Sequence, residues 1–230
     1  MLFLIKPKTA RVRARPKPAP SQRREYDQYE TPLAVAQQGV RWLFDECLVG
    51  HGDPLPSHIN VLEPGCGTAA PFLHAVTDLR PCSCDGIELQ GGSALRTALA
   101  RAPAEMQQRA IVLNFGIDYL TWTPRVPYDL ILTNPPFSLA EEFIRKTVTL
   151  LQPYGVAMFL LRLGFLASIK RYKLWTRDIS LHYTGILTQR PSFIGGTDVK
   201  TDYAWYVFTQ KRTCQVKTET KWLPPLAKAA

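Results

Sequence analysis

The tetrapeptide Asn134-Pro135-Pro136-Phe137 combines residue types that could act on a flat amine. It follows an apolar run at 128–133, and its two prolines stiffen a turn at the end of a predicted buried strand. The Asn134 side-chain oxygen and the Pro135 carbonyl could accept the two protons of an aryl amine such as that of adenine. They would draw the amine toward a pyramidal shape and aim its lone pair at an electrophile, while Phe137 stacks on the ring. This catalytic tetrapeptide would need no strong general base, and the sequence has no catalytic His or Cys pattern.

A glycine-rich turn after an earlier apolar run could hold a ligand. Glu63, Pro64, Gly65 and Gly67 form this turn, where glycines let the backbone come close to a bound molecule before the next helix begins. Gly65, Gly67 and Ala70 also fit the G-x-G-x-x-A spacing of dinucleotide-binding folds. A nicotinamide enzyme is therefore an alternative at this point.

Two acids near the ends of the next two runs favour a different nucleoside ligand. Glu88 lies near the end of the run at 85–89, where a carboxylate can accept both hydroxyls of a ribose. Asp118 follows the run at 110–114 and could accept from an adenine amine, with the ring of Tyr119 lying on the base. Each acid could equally have a turn or cap role. Their order along successive strands nevertheless predicts one crevice at the carboxyl edge of a sheet.

Short apolar runs alternate with helical stretches through the middle of the chain, which predicts an α/β fold with a doubly wound, mostly parallel sheet. Two later β-rich runs add a terminal antiparallel strand pair and make the predicted sheet seven-stranded. A helix is predicted ahead of the first strand, with Thr31 as N-cap and Pro32 at the first helical position. The predicted strands lie at 59–63, 85–89, 110–114, 128–133, 156–161, 182–189 and 203–210.

Positive charge is concentrated at the two ends of the chain, whose net charge is +9. Residues 1–24 carry eight Lys or Arg and no acid, and residues 211–230 carry five against Glu219 alone. We therefore predict a disordered basic arm at 1–24, one domain at 25–210 and a basic C-terminal tail at 211–230. Such arms favour a protein held near a polyanion, although a solubilising terminus has the same composition.

The start of the chain and the spacing of its cysteines bear on the cellular location and the metal content of the protein. The apolar start at 1–5 is too short for a secretory core or a membrane span, which predicts a cytoplasmic protein with no membrane partner. The five cysteines lack the paired spacing of a zinc site, so we expect reduced thiols and no metal.

These motifs resemble those of the S-adenosylmethionine-dependent amino-methyltransferases, and in particular the adenine-N6 DNA methyltransferases of small, phage-type form. The resemblance covers residues 29–210. It implies the class I Rossmann-like fold, S-adenosyl-L-methionine as cofactor, and methyl transfer to adenine in DNA after base flipping. Catalysis is implied for Asn134, Pro135, Pro136 and Phe137, and cofactor binding for Tyr29, Thr31, Pro32, Glu63, Pro64, Gly65, Gly67, Glu88, Asp118 and Tyr119.

Two further features bear on the target. The segment at 190–193 resembles one in which a phenylalanine, here Phe193, covers the second face of the target base, and core packing explains it nearly as well. Basic and aromatic residues alternate after the fifth predicted strand, as they would in a nucleic-acid contact or in a solvated amphipathic helix. The basic residues concerned are Arg162, Lys170, Arg171, Lys173 and Arg177.

The acceptor stays open among three classes of substrate. Enzymes that methylate amines in RNA, or a glutamine in protein, share a similar tetrapeptide. The Arg-rich arm favours nucleic acid, and the family resemblance favours DNA over RNA. No sizeable target-recognition domain fits between the motifs, so we expect a very short recognition site.

Overall fold

A computed structural model describes residues 30–49, 55–91, 111–193, 201–211 and 217–226. The predicted basic arm at 1–24 and the candidate cofactor residue Tyr29 lie outside these residues. The helices are α1 (Leu33–Trp42), α2 (Pro71–Thr77) and α3 (Ala140–Leu150), with a wider π-helical stretch at Leu43–Leu48 after α1. The strands are β1 (Ile59–Pro64), β2 (Cys82–Glu88), β3 (Ile111–Phe115), β4 (Tyr128–Thr133), β5 (Leu151–Arg162), β6 (Ile179–Leu187), β7 (Tyr203–Gln210) and β8 (Glu219–Leu223).

Within the described ranges the strands form one sheet in the order β3-β2-β1-β4-β5-β7-β6-β8. The first five neighbours in this order are parallel, whereas β7 is antiparallel to both β5 and β6. The predicted doubly wound, mostly parallel sheet with a terminal antiparallel pair is confirmed. The strand order reverses between β1 and β4, which is where ligands bind in open α/β sheets.

In the part of the chain that the structure describes, the sheet has eight strands, so the prediction of seven strands is wrong. The eighth strand, β8, pairs in parallel with β6 and lies in the stretch that the sequence assigns to a basic tail. Its first four residues are exposed and include Glu219 and Lys221. An edge strand with charged side chains lacks the apolar pattern by which buried strands are identified.

The first helix begins later than predicted. Leu33 is its first residue, Pro32 occupies the N-cap position, and no side chain caps it. The prediction of Thr31 as N-cap is wrong because the Thr31 hydroxyl instead accepts a hydrogen bond from the Asn134 side chain, at 3.1 Å. Thr31 thus joins α1 to the end of β4.

The core between α1 and the sheet tolerates no added volume at Gly39. A Cβ atom there would lie 2.5 Å from Cε2 of Trp205, whose indole is fully buried and packs edge-on against Phe72. We expect Gly39→Ala to lower the free energy of unfolding by about 1–3 kcal/mol, because overpacking outweighs the better helix propensity of alanine. Denaturant unfolding measures this change.

Gly164→Ala is the matched control for this prediction. A Cβ atom at Gly164 meets no heavy atom within 4 Å, so we expect its unfolding midpoint to stay close to that of the wild type. Equal midpoints for the Gly39 variant and the wild type would contradict the packing argument.

Candidate active site

The glycine turn after β1 is bound to the neighbouring strand β2. The Gly65 and Cys66 backbone amides both donate to the Ile87 carbonyl, at 2.7 and 3.1 Å. Gly65 and Gly67 have φ values of +66° and +58°, in the left-handed region that favours glycine. The turn therefore has a fixed shape that other residues would strain.

Glu88 holds this turn from the end of β2. Its carboxylate is largely buried and accepts from the Gly67 amide at 2.9 Å and from the Gln90 amide at 3.0 Å, one bond on each oxygen. Because a carboxylate has about four lone-pair sites, these two bonds leave acceptor capacity for a pair of ligand hydroxyls. Glu88 thus has the turn role considered from the sequence, and its contact with a ribose stays a prediction.

Glu63 shapes the same turn from inside the fold. Its side chain is buried, and its Oε2 accepts from the Phe72 and Leu73 amides at 3.1 and 3.0 Å in the first turn of α2. Burial raises the pKa of the Glu63 carboxyl well above its usual range, against the opposing effect of the two amide bonds. The Glu63 side chain therefore binds the protein backbone and positions the turn against α2.

Glu30 belongs to the site but was missed from the sequence. Its Oε1 accepts from the Thr68 hydroxyl at 2.9 Å, and a Cβ atom at Gly67 would lie 3.5 Å from the same oxygen. This carboxylate thus covers the glycine turn from the segment before α1. The signal in the sequence is an acid directly ahead of Thr31-Pro32.

The Asn134-Pro135-Pro136-Phe137 tetrapeptide lies beside the glycine turn. The Thr133 hydroxyl donates to the Pro64 carbonyl at 2.5 Å, which joins the end of β4 to the end of β1. The side-chain nitrogen of the half-buried Asn134 donates a hydrogen bond to the Thr31 hydroxyl at 3.1 Å. This bond fixes the amide plane, with its nitrogen toward Thr31 and its oxygen on the other side of the amide carbon. Pro135 is buried, and Phe137 is half-buried.

The turn after β3 holds two predicted cofactor residues, of which Asp118 has the turn role considered from the sequence, because its Oδ1 accepts from the Leu120 amide at 2.9 Å. The Ile117 amide donates to the Glu88 carbonyl at 3.1 Å, which places the exposed Asp118 beside the end of β2. The Tyr119 ring is instead buried against Phe143, with centroids 4.9 Å apart, and its hydroxyl lies 2.8 Å from Oγ1 of Thr147. The prediction that Tyr119 lies on an adenine ring is wrong, because the apolar interior on the α3 side takes up the ring.

Phe137 stands at one end of a row of aromatic rings. Its centroid is 5.7 Å from that of Tyr203, which in turn is 5.1 Å from that of Phe193. Phe193 is only 4% exposed and belongs to the core, so the structure favours its core-packing alternative over contact with a target base. Tyr203 was missed because its apolar strand gives no sign that it reaches Phe137. The guanidinium of Arg162 lies 4.5 Å over the Phe137 ring.

The basic residues after β5 divide into two groups. Arg171 donates to the Phe165 carbonyl at 2.9 Å and lies over the Phe165 ring, and Arg177 pairs with Asp178 at 2.6 Å. These two guanidinium groups have partners within the fold. Arg162, Lys170 and Lys173 are exposed. The segment forms short helical turns at Ile169–Arg171 and Leu174–Asp178, unlike the single amphipathic helix considered from the sequence.

Two further kinds of feature are absent from the part of the chain that the structure describes. No cluster of His, Cys, Asp and Glu side chains there could hold a metal ion. No helix in the same ranges is both long and apolar enough to span a bilayer. Among the described residues, Cys47, Cys66, Cys82 and Cys84 are buried and form no disulfide.

Solved structures of methyltransferases share this fold. A putative class I S-adenosylmethionine-dependent methyltransferase from Listeria monocytogenes superposes with a TM-score of 0.62 at 15% identity, covering 84% of this chain and 64% of that protein. A putative RNA methyltransferase from Pyrococcus horikoshii gives 0.57 at 15% identity, covering 80% and 87%. A ribosomal protein L11 methylase from Lactobacillus delbrueckii subsp. bulgaricus gives 0.52 at 15% identity, covering 78% and 77%.

The chain therefore has the class I methyltransferase fold, as the resemblance implied. It spans about two thirds of the length of the Listeria protein. No protein-family model matches the sequence, and no curated protein matches it.

Proposed function

We propose that this chain is an S-adenosylmethionine-dependent methyltransferase that modifies the exocyclic amine of adenine in DNA. The observation that carries the proposal is the Asn134–Thr31 hydrogen bond, which fixes an amide at the end of β4 beside the glycine turn. The Asn134 side-chain oxygen and the Pro135 carbonyl form a pair of acceptors that suits an amine substrate. Hydride transfer to a nicotinamide would not use such a pair.

The residues around the glycine turn fit S-adenosylmethionine. The left-handed Gly65 and Gly67 leave backbone accessible, and Glu88 retains acceptor capacity for ribose hydroxyls. The exposed Asp118 carboxylate, whose Oδ1 also accepts from the Leu120 amide at 2.9 Å, would accept from an adenine amine. The carboxylate of Glu30 beside Gly67 adds negative charge, which favours a ligand that carries ammonium and sulfonium groups. When bound, the cofactor would supply an electrophilic methyl group.

The tetrapeptide would prepare the amine for attack. The Asn134 side-chain oxygen and the Pro135 carbonyl would accept hydrogen bonds from its two N–H groups, and Phe137 would stack on the base. Held by these two acceptors, the amine would direct its lone pair toward the methyl group that the bound cofactor would supply. Positive charge develops on the amine nitrogen, which then loses one proton to water. The residues thus supply position and hydrogen bonds, without a strong base.

Exposed positive charge supports a nucleic-acid acceptor. Arg162, Lys170 and Lys173 lie on the segment that starts at the end of β5. The first of them, Arg162, lies over the Phe137 ring. The basic arm at 1–24 adds charge that suits phosphate. The choice of DNA rather than RNA as the acceptor rests on the resemblance of the motifs to those of the adenine-N6 DNA methyltransferases. The printed names of structural neighbours include an RNA methyltransferase and a ribosomal protein methylase, so RNA and protein are the competing acceptors.

Incubation with methyl-labelled cofactor tests the acceptor directly. Unmethylated DNA, total RNA and a protein extract are offered separately, and the DNA is digested to nucleosides. We expect the label in N6-methyladenine from DNA. Label found solely in RNA or in protein glutamine would overturn the choice of acceptor, and no label in any of the three would count against the activity itself.

A further inference from the structure

Two exposed apolar side chains alternate with two lysines on the segment after β5. Ile169 is 97% exposed and Tyr172 is 67% exposed. Lys170 and Lys173 are exposed beside them. We call residues 169–173 the tip. Single exposed apolar residues are common on protein surfaces, but two of them within one turn, flanked by cations, mark a contact surface.

The tip is mounted on a well-packed base. Arg171 donates to the Phe165 carbonyl at 2.9 Å, and its guanidinium lies 4.0 Å over the Phe165 ring. Phe165 packs edge-on against Trp175, with centroids 5.8 Å apart, and Trp175 stacks on Tyr206 of β7 at the same separation. Because these contacts hold the base, Ile169 and Tyr172 are presented on a fixed support.

A short stretch of chain connects the tip to the end of β5, where Arg162 contacts Phe137 of the tetrapeptide. Arg162 ends β5 with its guanidinium 4.5 Å over Phe137, and Ile169 follows seven residues later. Seven residues span at most about 25 Å. This upper limit on the distance from Arg162 to Ile169 is comparable to the width of a duplex. One nucleic acid molecule could therefore contact the tip and the Phe137 end of the site together.

We propose that Ile169 and Tyr172 form a wedge that enters the base stack of duplex DNA beside the target adenine. This inference rests on the proposed function. Apolar side chains that insert between base steps offset part of the cost of unstacking, and a base must leave the stack to reach an enclosed site. Lys170 and Lys173 would contact the flanking phosphates.

The charge at the tip favours this occupant over a second copy of the chain. In a two-fold dimer formed through residues 169–173, the lysines of both copies would converge on the same small interface. Their repulsion would oppose association at low salt, whereas the phosphates of a duplex would be attracted. A duplex offers phosphates to Lys170 and Lys173, and it offers stacked bases to Ile169 and Tyr172.

The experiment compares duplex and single-stranded acceptors for Ile169→Ser. Because Ile169 makes almost no contact within the fold, the variant should unfold like the wild type. We expect its kcat/KM to fall about tenfold on an adenine-containing duplex and less than about twofold on the corresponding single strand, which needs no wedge. With 2-aminopurine at the target position, the fluorescence rise on adding enzyme to the duplex should shrink in parallel.

Val126→Ser is the matched control. Val126 is a 54% exposed β-branched residue just before the amino end of β4, at the opposite edge of the sheet from the tetrapeptide. This variant should leave both acceptors and the fluorescence change as in the wild type.

The outcomes separate the wedge from the proposed function. If the wild type labels no DNA, the proposed function fails and the wedge is overturned with it. If the wild type labels DNA but Ile169→Ser keeps the wild-type ratio of duplex to single-strand activity, the wedge alone is overturned. A wild-type dimer that Ile169→Ser converts to a monomer in sedimentation, with that ratio unchanged, would assign the tip to self-association and also overturn the wedge.

Discussion

Replacing Asn134 by alanine is expected to lower kcat for methyl transfer about 10²–10³-fold, the loss typical of removing one preorganised hydrogen-bonding group at a reacting centre. Affinity for S-adenosylmethionine should change by less than about threefold, because this group would act on the amine of the acceptor. Single-turnover methyl transfer measures the first quantity, and calorimetric titration of the cofactor measures the second. Unchanged turnover would refute the catalytic role of Asn134.

Two companion variants make the result specific to position. Thr31→Val removes the hydroxyl that accepts from the Asn134 amide, so the amide loses its fixed orientation but keeps its acceptor oxygen. We expect a smaller loss of kcat, about tenfold, consistent with a hydrogen bond worth about 1 kcal/mol. Asn60→Ala is the control at the opposite end of β1, where the bond to Asp129 comes from the Asn60 backbone and survives the change.

The parts of the fold that were predicted best are those where burial on both faces determines residue type. β4 and β7 match their predicted ranges, 128–133 and 203–210, because every residue of β4 and nearly all of β7 is buried. β5 begins earlier than predicted, at Leu151. Its first part contains the exposed Pro153 and Tyr154 and has an irregular register to β4, so the apolar pattern starts only farther along the strand.

The site follows the same logic. Residue types at the ends of β1, β2 and β4 could be predicted because parallel strands bring their carboxyl ends to one edge. The partners of those residues could not. Asn134 and Thr31 are 103 positions apart, and nothing in the local sequence selects that pair. Tyr119 shows the converse, because one aromatic after a strand can turn toward a ligand or into the core, and the packing of α3 decides.

Phe193 and Glu30 show how the same limit acts on individual side chains. The tertiary position of Tyr203 gives Phe193 a partner in the core. Glu30 becomes part of the site because the segment before α1 lies over Gly67, a contact that composition cannot indicate. Local chemistry therefore defined candidate residues, and long-range packing decided which of them face the crevice.

Replacing Glu88 by alanine is expected to weaken binding of S-adenosylmethionine about a hundredfold. The change removes a charged acceptor for two ribose hydroxyls, and hydrogen bonds to charged groups contribute about 1.5–3 kcal/mol. It also removes the acceptor for the Gly67 and Gln90 amides, so the glycine turn loses part of its support. Calorimetry or fluorescence titration of the cofactor measures the effect.

Glu88→Gln should bind hardly better than the alanine variant. Both carboxylate oxygens of Glu88 accept from backbone amides, so an amide nitrogen at one of these positions would place two donors against each other. Glu142→Ala removes an exposed acid from α3 and serves as the control, with binding expected to match the wild type. Wild-type affinity in Glu88→Ala would mean that the crevice at the end of β2 does not hold the ribose.

The two replacements should affect different kinetic constants, and this contrast tests the division of the site. At saturating cofactor, Glu88→Ala should recover most of its turnover, because the Asn134–Thr31 bond and the Thr133–Pro64 bond are untouched by the change. No concentration of cofactor should restore Asn134→Ala. If the Glu88 variant stays inactive at saturation, the glycine turn also aligns the methyl group with the amine, and binding and catalysis then share one support.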